Sequence, residues 1–558
     1  MKNTLILLIF LAACTLQGVD QTDAVDASSD SSVSSDITET GPGDTATDTA
    51  TVSDSASDTD IAAVCPSNNP AFAQTESGCV QGYLEQGIRT FKGIPYAAPP
   101  VGDLRWRAPQ PAGSWQGVRY AKGFSPTCIQ FMNGLSAGLD KGTGSEDCLY
   151  LNIWSPVTTD SRKLPVMFFI HGGSDAFGSA SEPVYNARHL SKKGVVVVTI
   201  NYRLGLLGFM GDKYLTAEDP NKTSGNYGML DIIAALKWVK ANISNFNGDP
   251  THITVFGESA GAIDTCLLLF SPLAKDLFSN AIMESGSCLF INDDQKASDA
   301  VGTRVEKLLN CDGTPDVAAC MRSKATDELV MAGDKIYSNE LTGLYPHVDG
   351  YFLTETPKLA LANGHVPTLP VIAGTNRDEA TAFTYAMNID TENDYNLLMA
   401  QYGMIGGFSK DDLIKHYPVA NYKNYRDAFN HFMTDVLFVC PTRKFLRDVS
   451  KAGGSAYQYE FTYEYPGSTL GVTHGAELFY VFGSYSQPVI PDIETVSNAF
   501  ISYWTRFAAM SNPNNTGLTN WPAYDKTTNP YLILDKTITT GQDFRSAECD
   551  FLDTGNAY

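Results

Sequence analysis

Short apolar runs alternate with amphipathic stretches along most of the chain. Four runs are bounded by Gly, Pro or charged residues, at positions 164–170, 194–200, 253–256 and 370–373. Continuous apolar runs of this length are typical of strands that are buried on both faces of a mostly parallel sheet. Between the second and third runs, apolar residues recur at intervals of three and four, at Ile232, Leu236, Val239 and Ile243. This spacing predicts an amphipathic helix that crosses over the sheet.

The pattern as a whole predicts an α/β fold with a central, mostly parallel sheet flanked by helices. No Gly- or Pro-rich linker interrupts residues 65–558, and no internal repeat is present. Of the 558 residues, 43% are hydrophobic, which is enough to form a large buried core. We therefore predict a single large domain over residues 65–558.

The first 14 residues have the form of an export signal. Lys2 is followed by an apolar run at 4–13, which is too short to cross a bilayer as a helix. The sequence Leu-Ala-Ala-Cys that ends at Cys14 resembles the lipobox of bacterial lipoproteins, in which this cysteine carries the lipid. We expect an exported lipoprotein anchored at Cys14 and facing the periplasm or the cell exterior. The alternative is an ordinary signal peptide and a secreted protein, with Cys14 removed.

Residues 15–64 have a different composition from the rest of the chain. They are rich in Asp, Ser, Thr and Ala, and they contain eleven acidic residues and no Lys or Arg. Such a segment cannot bury enough apolar surface to fold, which predicts a disordered, extended tether. The tether carries about half of the net charge of −23. An acidic chain without a basic run would repel a phosphate backbone, so we predict no nucleic-acid partner.

The cysteine content also indicates an oxidising compartment. The chain contains 11 cysteines, and no C-x2-C or His-x3-His spacing that would indicate a metal site. If Cys14 carries lipid, ten cysteines remain for pairing. We expect no metal and no cofactor.

The sequence Gly257-Glu-Ser-Ala-Gly261 places Ser259 between a predicted strand and a predicted helix. In this context a G-x-S-x-G motif indicates a nucleophilic serine, because the tight turn leaves the serine exposed at its tip. The amide of Ala260, at the start of the helix, is placed to donate to a developing oxyanion.

A serine nucleophile needs a histidine base and an acid that orients the base. Of the eight histidines, His474 lies in a glycine-flanked loop late in the chain, after a predicted strand at 456–461. His171 lies in a His-Gly-Gly loop, where the glycines and not the ring are expected to act. Asp378 and Glu379 follow the strand at 370–373, and the sequence pattern alone does not decide which of them is the orienting acid.

Five segments, one of which contains the G-x-S-x-G motif, make the chain resemble the type B carboxylesterases, a family that includes cholinesterases and para-nitrobenzyl esterases. The resemblance extends from about Val80 to Asp553 and is carried by segments 91–102, 145–154, 201–205, 225–231 and 256–261. It implies an α/β-hydrolase fold and serine esterase activity on small-molecule esters. It also selects Glu379 as the acid and supports His474 as the base.

The resemblance also implies an oxyanion hole and three disulfides. The oxyanion hole would be formed by the amides of Gly173, Ser174 and Ala260. The implied disulfides are Cys128 with Cys148, Cys311 with Cys320, and Cys440 with Cys549. For the remaining cysteines, we pair Cys65 with Cys79 and expect Cys266 and Cys288 to be buried thiols that pack as small apolar groups.

One departure from the family falls beside the oxyanion hole. Ser174-Asp175 stands where the family commonly has a glycine and an apolar residue. A carboxylate turned inward there would oppose an anionic transition state. Either Asp175 points outward, or the site prefers a cationic or unusual substrate.

We predict a carboxylesterase that forms an acyl-enzyme on Ser259. The alternative is a non-catalytic adhesion protein on the same fold, like the neuroligin-like relatives. Loss of the serine or the histidine would favour that alternative, and both residues are present. Neither the ester nor the oligomeric state follows from the sequence.

Overall fold

The computed structural model describes residues 65–66, 68–130, 143–159, 161–340, 343–485 and 490–558. The predicted signal segment at 1–14, with Cys14, and the predicted tether at 15–64 lie outside the described residues. Both therefore stay predictions. Within the part of the chain that the structure describes, no helix is long and apolar enough to cross a membrane.

Of the fourteen described strands, eleven form one large mixed sheet and three form a small one. The strands, in chain order, are β1 (Phe72–Thr75), β2 (Gly78–Gln81), β3 (Tyr83–Glu85), β4 (Ile88–Pro95), β5 (Val118–Tyr120), β6 (Tyr150–Pro156), β7 (Leu164–Ile170), β8 (Val196–Ile200), β9 (Gly248–Glu258), β10 (Asn280–Glu284), β11 (Val371–Asn376), β12 (Ala456–Phe461), β13 (Tyr531–Leu534) and β14 (Thr539–Gly541). The order in the large sheet is β14-β13-β12-β11-β10-β9-β7-β8-β6-β4-β3. The seven neighbouring strands that run from β13 to β8 in this order are parallel. The outer pairs, β14 with β13, β8 with β6, β6 with β4 and β4 with β3, are antiparallel. Strands β1, β2 and β5 form a separate small sheet.

Helices cover both faces of the large sheet. The α-helices, in chain order, are α1 (Arg188–Ser191), α2 (Gly205–Phe209), α3 (Lys213–Glu218), α4 (Tyr227–Asn242), α5 (Ala260–Phe270), α6 (Gln295–Leu308), α7 (Val317–Arg322), α8 (Thr326–Glu340), α9 (Pro357–Ala362), α10 (Thr381–Thr384), α11 (Glu392–Gly406), α12 (Lys410–His416), α13 (Tyr425–Thr434), α14 (Cys440–Lys451), α15 (Leu478–Phe482), α16 (Pro491–Met510) and α17 (Ser546–Leu552). A π-helix at Asp435–Val439 joins α13 to α14.

Alternate side chains of the central strands enter two different cores. On β7, Val166 and Phe168 pack in one core, while Met167 and Phe169 pack in the other. This is the period of two that a strand imposes, with both faces covered. Helices α4 and α5 cover the first face, and α16 covers the second. The α/β-hydrolase prediction, with a mostly parallel central sheet, is confirmed.

The predicted elements lie where the apolar pattern indicated. The four apolar runs correspond to β7, β8, β9 and β11, and the predicted crossover helix is α4. Strand β9 begins at Gly248, five residues before the predicted run, because its polar first half extends past the covered part of the sheet. The strand expected at 456–461 is β12.

The structure contains five disulfides. The three implied bridges, Cys128–Cys148, Cys311–Cys320 and Cys440–Cys549, are present. The Cys65–Cys79 pairing is present as well.

The prediction for Cys266 and Cys288 was wrong, because these two residues form a fifth disulfide. Strand β10 returns the chain past helix α5, so the short helix at Cys288–Phe290 packs on α5 with the two Cα atoms 5.6 Å apart. That distance is within the range that a disulfide can bridge. A separation of 22 residues in the sequence does not reveal this contact.

Candidate active site

Ser259 lies at the turn between β9 and α5. Glycines are required on both sides of it, because a Cβ at Gly257 would clash with the carbonyl oxygen of Gly261, and a Cβ at Gly261 would clash with that of Ile170. Ser259 itself has φ 57° and ψ −121°, a conformation that non-glycine residues rarely adopt. Strain of this kind persists only where the surroundings hold it and is common at functional sites. The turn directs a single serine into the space above the sheet.

His474 lies in the loop after β12, where it contacts a buried carboxylate. Its Nδ1 is 2.6 Å from Oε2 of Glu379, which is fully buried. The backbone amide of Asn376 donates to the other oxygen of Glu379 at 2.7 Å. Two aromatic rings, of Phe383 and Phe438, pack against the imidazole at centroid distances of 4.9 and 5.0 Å. These contacts fix the orientation of the ring.

Asp378, the other candidate acid, has different partners. Arg377 donates to its Oδ2 at 2.7 Å, and the amide of Val472 donates to the same atom at 2.8 Å. Asp378 therefore fastens the loop that carries His474 to the end of β11. The sequence pattern left two candidate acids, and in the structure Glu379 is the one that contacts His474.

The other nitrogen of His474 faces the serine turn. Nε2 of His474 is 3.3 Å from Oε1 of Glu258, the residue directly before Ser259. The imidazole thus lies between Glu379 and the turn. Burial lowers the pKa of His474, but the nearby carboxylates of Glu258 and Glu379 outweigh it, so the net shift is upward.

Three main-chain amides at the same place are free to bind an anion. In the part of the chain that is described, the amides of Gly173, Ser174 and Ala260 have no protein acceptor. Ala260 is the first residue of α5, so its amide has no partner within the helix. Gly173 and Ser174 follow the end of β7, with φ 113° and 55°. The arrangement offers the donors that a tetrahedral oxyanion needs.

A cavity of about 340 Å³ opens beside Ser259. Ser174 and Ala260 line it near the serine, and its walls are mainly apolar, with contributions from Ile263 and Phe290. The walls also include Leu437 and Phe438 from the π-helix. A π-helix inserts an extra residue into a turn and is frequent at functional sites. The volume and the lining suit a small, largely apolar organic molecule.

Comparison with known proteins identifies the family. The family model described as "Carboxylesterase family" matches residues 69–552. The chain belongs to the carboxylesterase family.

Individual relatives agree with this assignment. The carboxylesterase is 36% identical to the fumonisin B1 esterase of Sphingopyxis macrogoltabida, over 81% of this chain and 84% of that protein. It is 36% identical to the para-nitrobenzyl esterase of Bacillus subtilis (strain 168), over 84% of this chain and 96% of that protein. A solved structure of a PNB esterase superposes with a TM-score of 0.74 at 32% identity, covering 87% of this chain and all of that one. The protein is therefore a type B carboxylesterase, and its activity is the hydrolysis of esters.

Three further acids of the carboxylesterase were missed by the sequence analysis. Glu258 contacts His474, and Glu284 and Glu477 interact electrostatically with Glu258. Glu258, Glu284 and Glu477 are buried. Burial raises the pKa of Glu258 to about 7 and that of Glu284 to about 8, and it raises that of Glu477 well above its ordinary value. Trp504 donates to Glu284 at 2.6 Å. Glu258 lies inside the G-x-S-x-G motif and Glu477 lies three residues after His474, so both could have been found from the sequence. No local signal marks Glu284.

The two remaining residues of the sequence analysis also have defined positions. His171 stacks on Tyr202 with the ring centroids 4.6 Å apart, and burial lowers its pKa to about 4. Its ring is therefore a neutral packing element. Asp175 does not point outward, because it is 4% exposed and lines the cavity. Of the two alternatives for Asp175, the outward orientation was wrong.

Proposed function

We propose that this carboxylesterase hydrolyses esters through an acyl-enzyme on Ser259, with His474 as the base and Glu379 as the acid that orients it. The observation that carries the proposal is the position of the imidazole, which contacts Glu379 through Nδ1 and faces the Ser259 turn through Nε2. An orienting acid keeps the proton on Nδ1, which leaves the Nε2 lone pair free to accept the serine proton.

The reaction then has two symmetrical steps. Ser259 Oγ attacks the ester carbonyl while His474 Nε2 takes its proton, and the tetrahedral oxyanion is bound by the amides of Gly173, Ser174 and Ala260. As the intermediate collapses, the C–O bond to the alcohol breaks and His474 returns the proton to the leaving oxygen. Water repeats the attack on the acyl-enzyme and releases the acid and the free serine.

The cavity restricts the acyl and alcohol groups that fit. Its walls are largely apolar and its volume is about 340 Å³, which favours neutral esters of small to medium size. Two relatives are named for esters, para-nitrobenzyl and fumonisin B1. A para-nitrobenzyl ester is therefore a suitable first substrate.

The test is covalent labelling of the full chain with a fluorophosphonate, followed by identification of the modified peptide by mass spectrometry. We expect labelling at Ser259, and none in Ser259→Ala. Ser287→Ala is the matched control, because Ser287 is a buried serine that lines the same cavity; labelling should persist in it. Absence of labelling in folded wild-type protein would refute the proposal.

We also propose that the enzyme is exported and anchored through Cys14. The apolar run at 4–13, the Leu-Ala-Ala-Cys sequence and the acidic segment at 15–64 support this. One lipidated cysteine with further acylation holds a protein at a membrane, since each buried methylene contributes about 0.8 kcal/mol. In a bacterial host, wild-type protein should fractionate with membranes and Cys14→Ser should not. Equal distribution of the two proteins would contradict the anchor.

A further inference from the structure

A second pair of buried acids lies next to the amides of Ser174 and Ala260. Asp175 belongs to the loop that carries the oxyanion amides, and Asp264 lies on α5, five residues after the serine. Asp264 is completely buried, and among the described residues its carboxyl group has no partner other than the carboxyl group of Asp175. The two carboxyl groups face each other, and each one affects the protonation of the other.

The groups packed around the pair supply no compensating charge. Tyr202 Oη is 3.4 Å from Asp175 Oδ1, but its single proton has a nearer acceptor, the carbonyl oxygen of His171 at 2.9 Å. The ring of His171, stacked on Tyr202, is neutral because burial lowers its pKa to about 4. Among the residues described, no Lys, Arg or His forms an ion pair with either acid. Two buried carboxylates without a cation are strongly unfavourable, so such groups take up protons instead.

The backbone places this pair where a charge would act on the reaction. Asp175 follows Ser174 directly, and both residues have a left-handed backbone, with φ 56° and 55°. The amide of Gly205 donates to the carbonyl of Asp175 at 2.6 Å, which holds the loop in position. Asp175 lines the cavity together with Ser174, Ser259 and Ala260. A negative charge there would repel the oxyanion that these residues bind.

We propose that the Asp175–Asp264 pair is uncharged in the active enzyme, and that loss of a proton from the pair puts a negative charge beside the oxyanion hole and slows acyl transfer. The inference rests on the proposed function, and it adds Asp175 and Asp264 as positioning residues that set the upper pH limit of the reaction. Burial raises the pKa of Asp175 to about 7, and burial followed by repulsion from Asp175 raises that of Asp264 well above its ordinary value. Coupled groups lose their protons in steps that belong to the pair.

Two substitutions of nearly equal size have opposite expected effects. In Asp175→Asn the amide is a permanently neutral replacement, so activity should persist at neutral pH and the decline of kcat on the alkaline side should disappear. In Asp264→Asn the new amide N–H can donate to the Asp175 carboxylate and stabilise its charge. The decline should then begin at lower pH, and kcat at neutral pH should fall on the order of tenfold.

The experiment is a set of pH profiles of kcat and kcat/KM for a neutral ester, with wild type, Asp175→Asn and Asp264→Asn. An unchanged alkaline decline in Asp175→Asn, or the same profile in both variants, would overturn the proposal. A wild-type preference for an ester carrying an ammonium group, lost in Asp175→Asn, would also overturn it, because the pair would then be charged and would bind a cation.

A second measurement does not depend on turnover. Infrared difference spectra between wild type and Asp175→Asn, recorded across the same pH range, should show a protonated carboxyl band in wild type that disappears as the pH rises. Absence of that band would overturn the proposal even if both variants are active. Failure of the proposed function would be seen separately, as wild-type protein that neither hydrolyses esters nor reacts at Ser259.

Discussion

The two sides of Ser259 balance buried acidic charge in different ways. On the His474 side, Glu379 contacts an imidazole at 2.6 Å and also accepts a backbone amide, so its negative charge has a partner. On the oxyanion side, Asp175 and Asp264 contact, among the residues that the structure describes, only each other and the hydroxyl of Tyr202. The first arrangement stabilises a charge, and the second favours its removal by protonation. Burial alone therefore does not determine whether an acid at this site is ionised.

The difference suits the chemistry of each side. In the proposed mechanism the imidazole becomes positively charged when it takes the serine proton, and an ionised acid beside it would stabilise that state. The oxyanion carries the opposite charge, so the groups beside it are best neutral or donors of hydrogen bonds. Three predictions test this comparison, in order of decreasing effect.

The largest effect is expected from neutralising the acid that orients His474. In Glu379→Gln, kcat should fall by roughly 10³- to 10⁴-fold, because the amide can favour the wrong tautomer of the imidazole. Asp378→Asn is the matched control, since that side chain accepts from Arg377 and Val472 instead. The kcat of this variant should fall by less than about tenfold, as expected for a side chain that does not take part in the reaction. Steady-state kinetics on one ester compares the two, and equal losses would contradict the assignment of Glu379.

The next effect concerns the disulfide that holds the helix carrying Asp264. The Cys266–Cys288 bridge joins α5 to the segment that places Phe290 in the cavity wall. Removing it by Cys266→Ala with Cys288→Ala should lower the free energy of unfolding by about 3 kcal/mol, since the unfolded chain loses a closed loop. Chemical denaturation measures the change.

The Cys311–Cys320 bridge serves as the comparison, because it closes a loop of only nine residues. Its removal should lower the free energy of unfolding slightly less, by about 2.5 kcal/mol on the same argument. A titration of free thiols in the unfolded wild-type protein should detect Cys14 at most. Two additional reactive thiols that map to Cys266 and Cys288 would mean that these two residues are unpaired.

The smallest effect is a shift in the acid side of the pH profile. Because the pKa of His474 is raised, the base is protonated and inactive up to a pH above its ordinary pKa. Neutralising Glu258 removes one carboxylate that raises this pKa. In Glu258→Gln the fall of kcat/KM on the acid side should therefore move to lower pH. A profile that stays in place would show that Glu258 carries no charge in the free enzyme.

Local sequence features predicted the elements that carry the site, but not all of its contacts. The apolar runs located β7, β8, β9 and β11, because strands buried on both faces need continuous apolar residues. The glycines around Ser259 predicted the strained turn. The choice between Asp378 and Glu379 needed either the family resemblance or the structure, because adjacent residues on a loop differ only in direction.

The Cys266–Cys288 disulfide and the orientation of Asp175 could not be derived from local features. Both depend on how segments far apart in the chain pack against α5. The crossover between Cys266 and Cys288 includes β10, whose place in the sheet is a tertiary property. Asp175 was recognised as unusual, but its burial depends on Tyr202 and on helix α5.

The sequence by itself determined the fold class, the Ser259 turn and the family, because these depend on hydrophobic period, glycine positions and motifs that are local along the chain. The family resemblance also selected Glu379 as the partner of His474, but only the tertiary structure decided that Asp175 meets Asp264. Glu379 reaches His474, whereas Asp175 reaches Asp264, and nothing in the spacing of these residues distinguishes the two cases. The physical reason is that the protonation state of a buried acid depends on the charges within a few ångströms of it, and packing brings those charges together from distant segments.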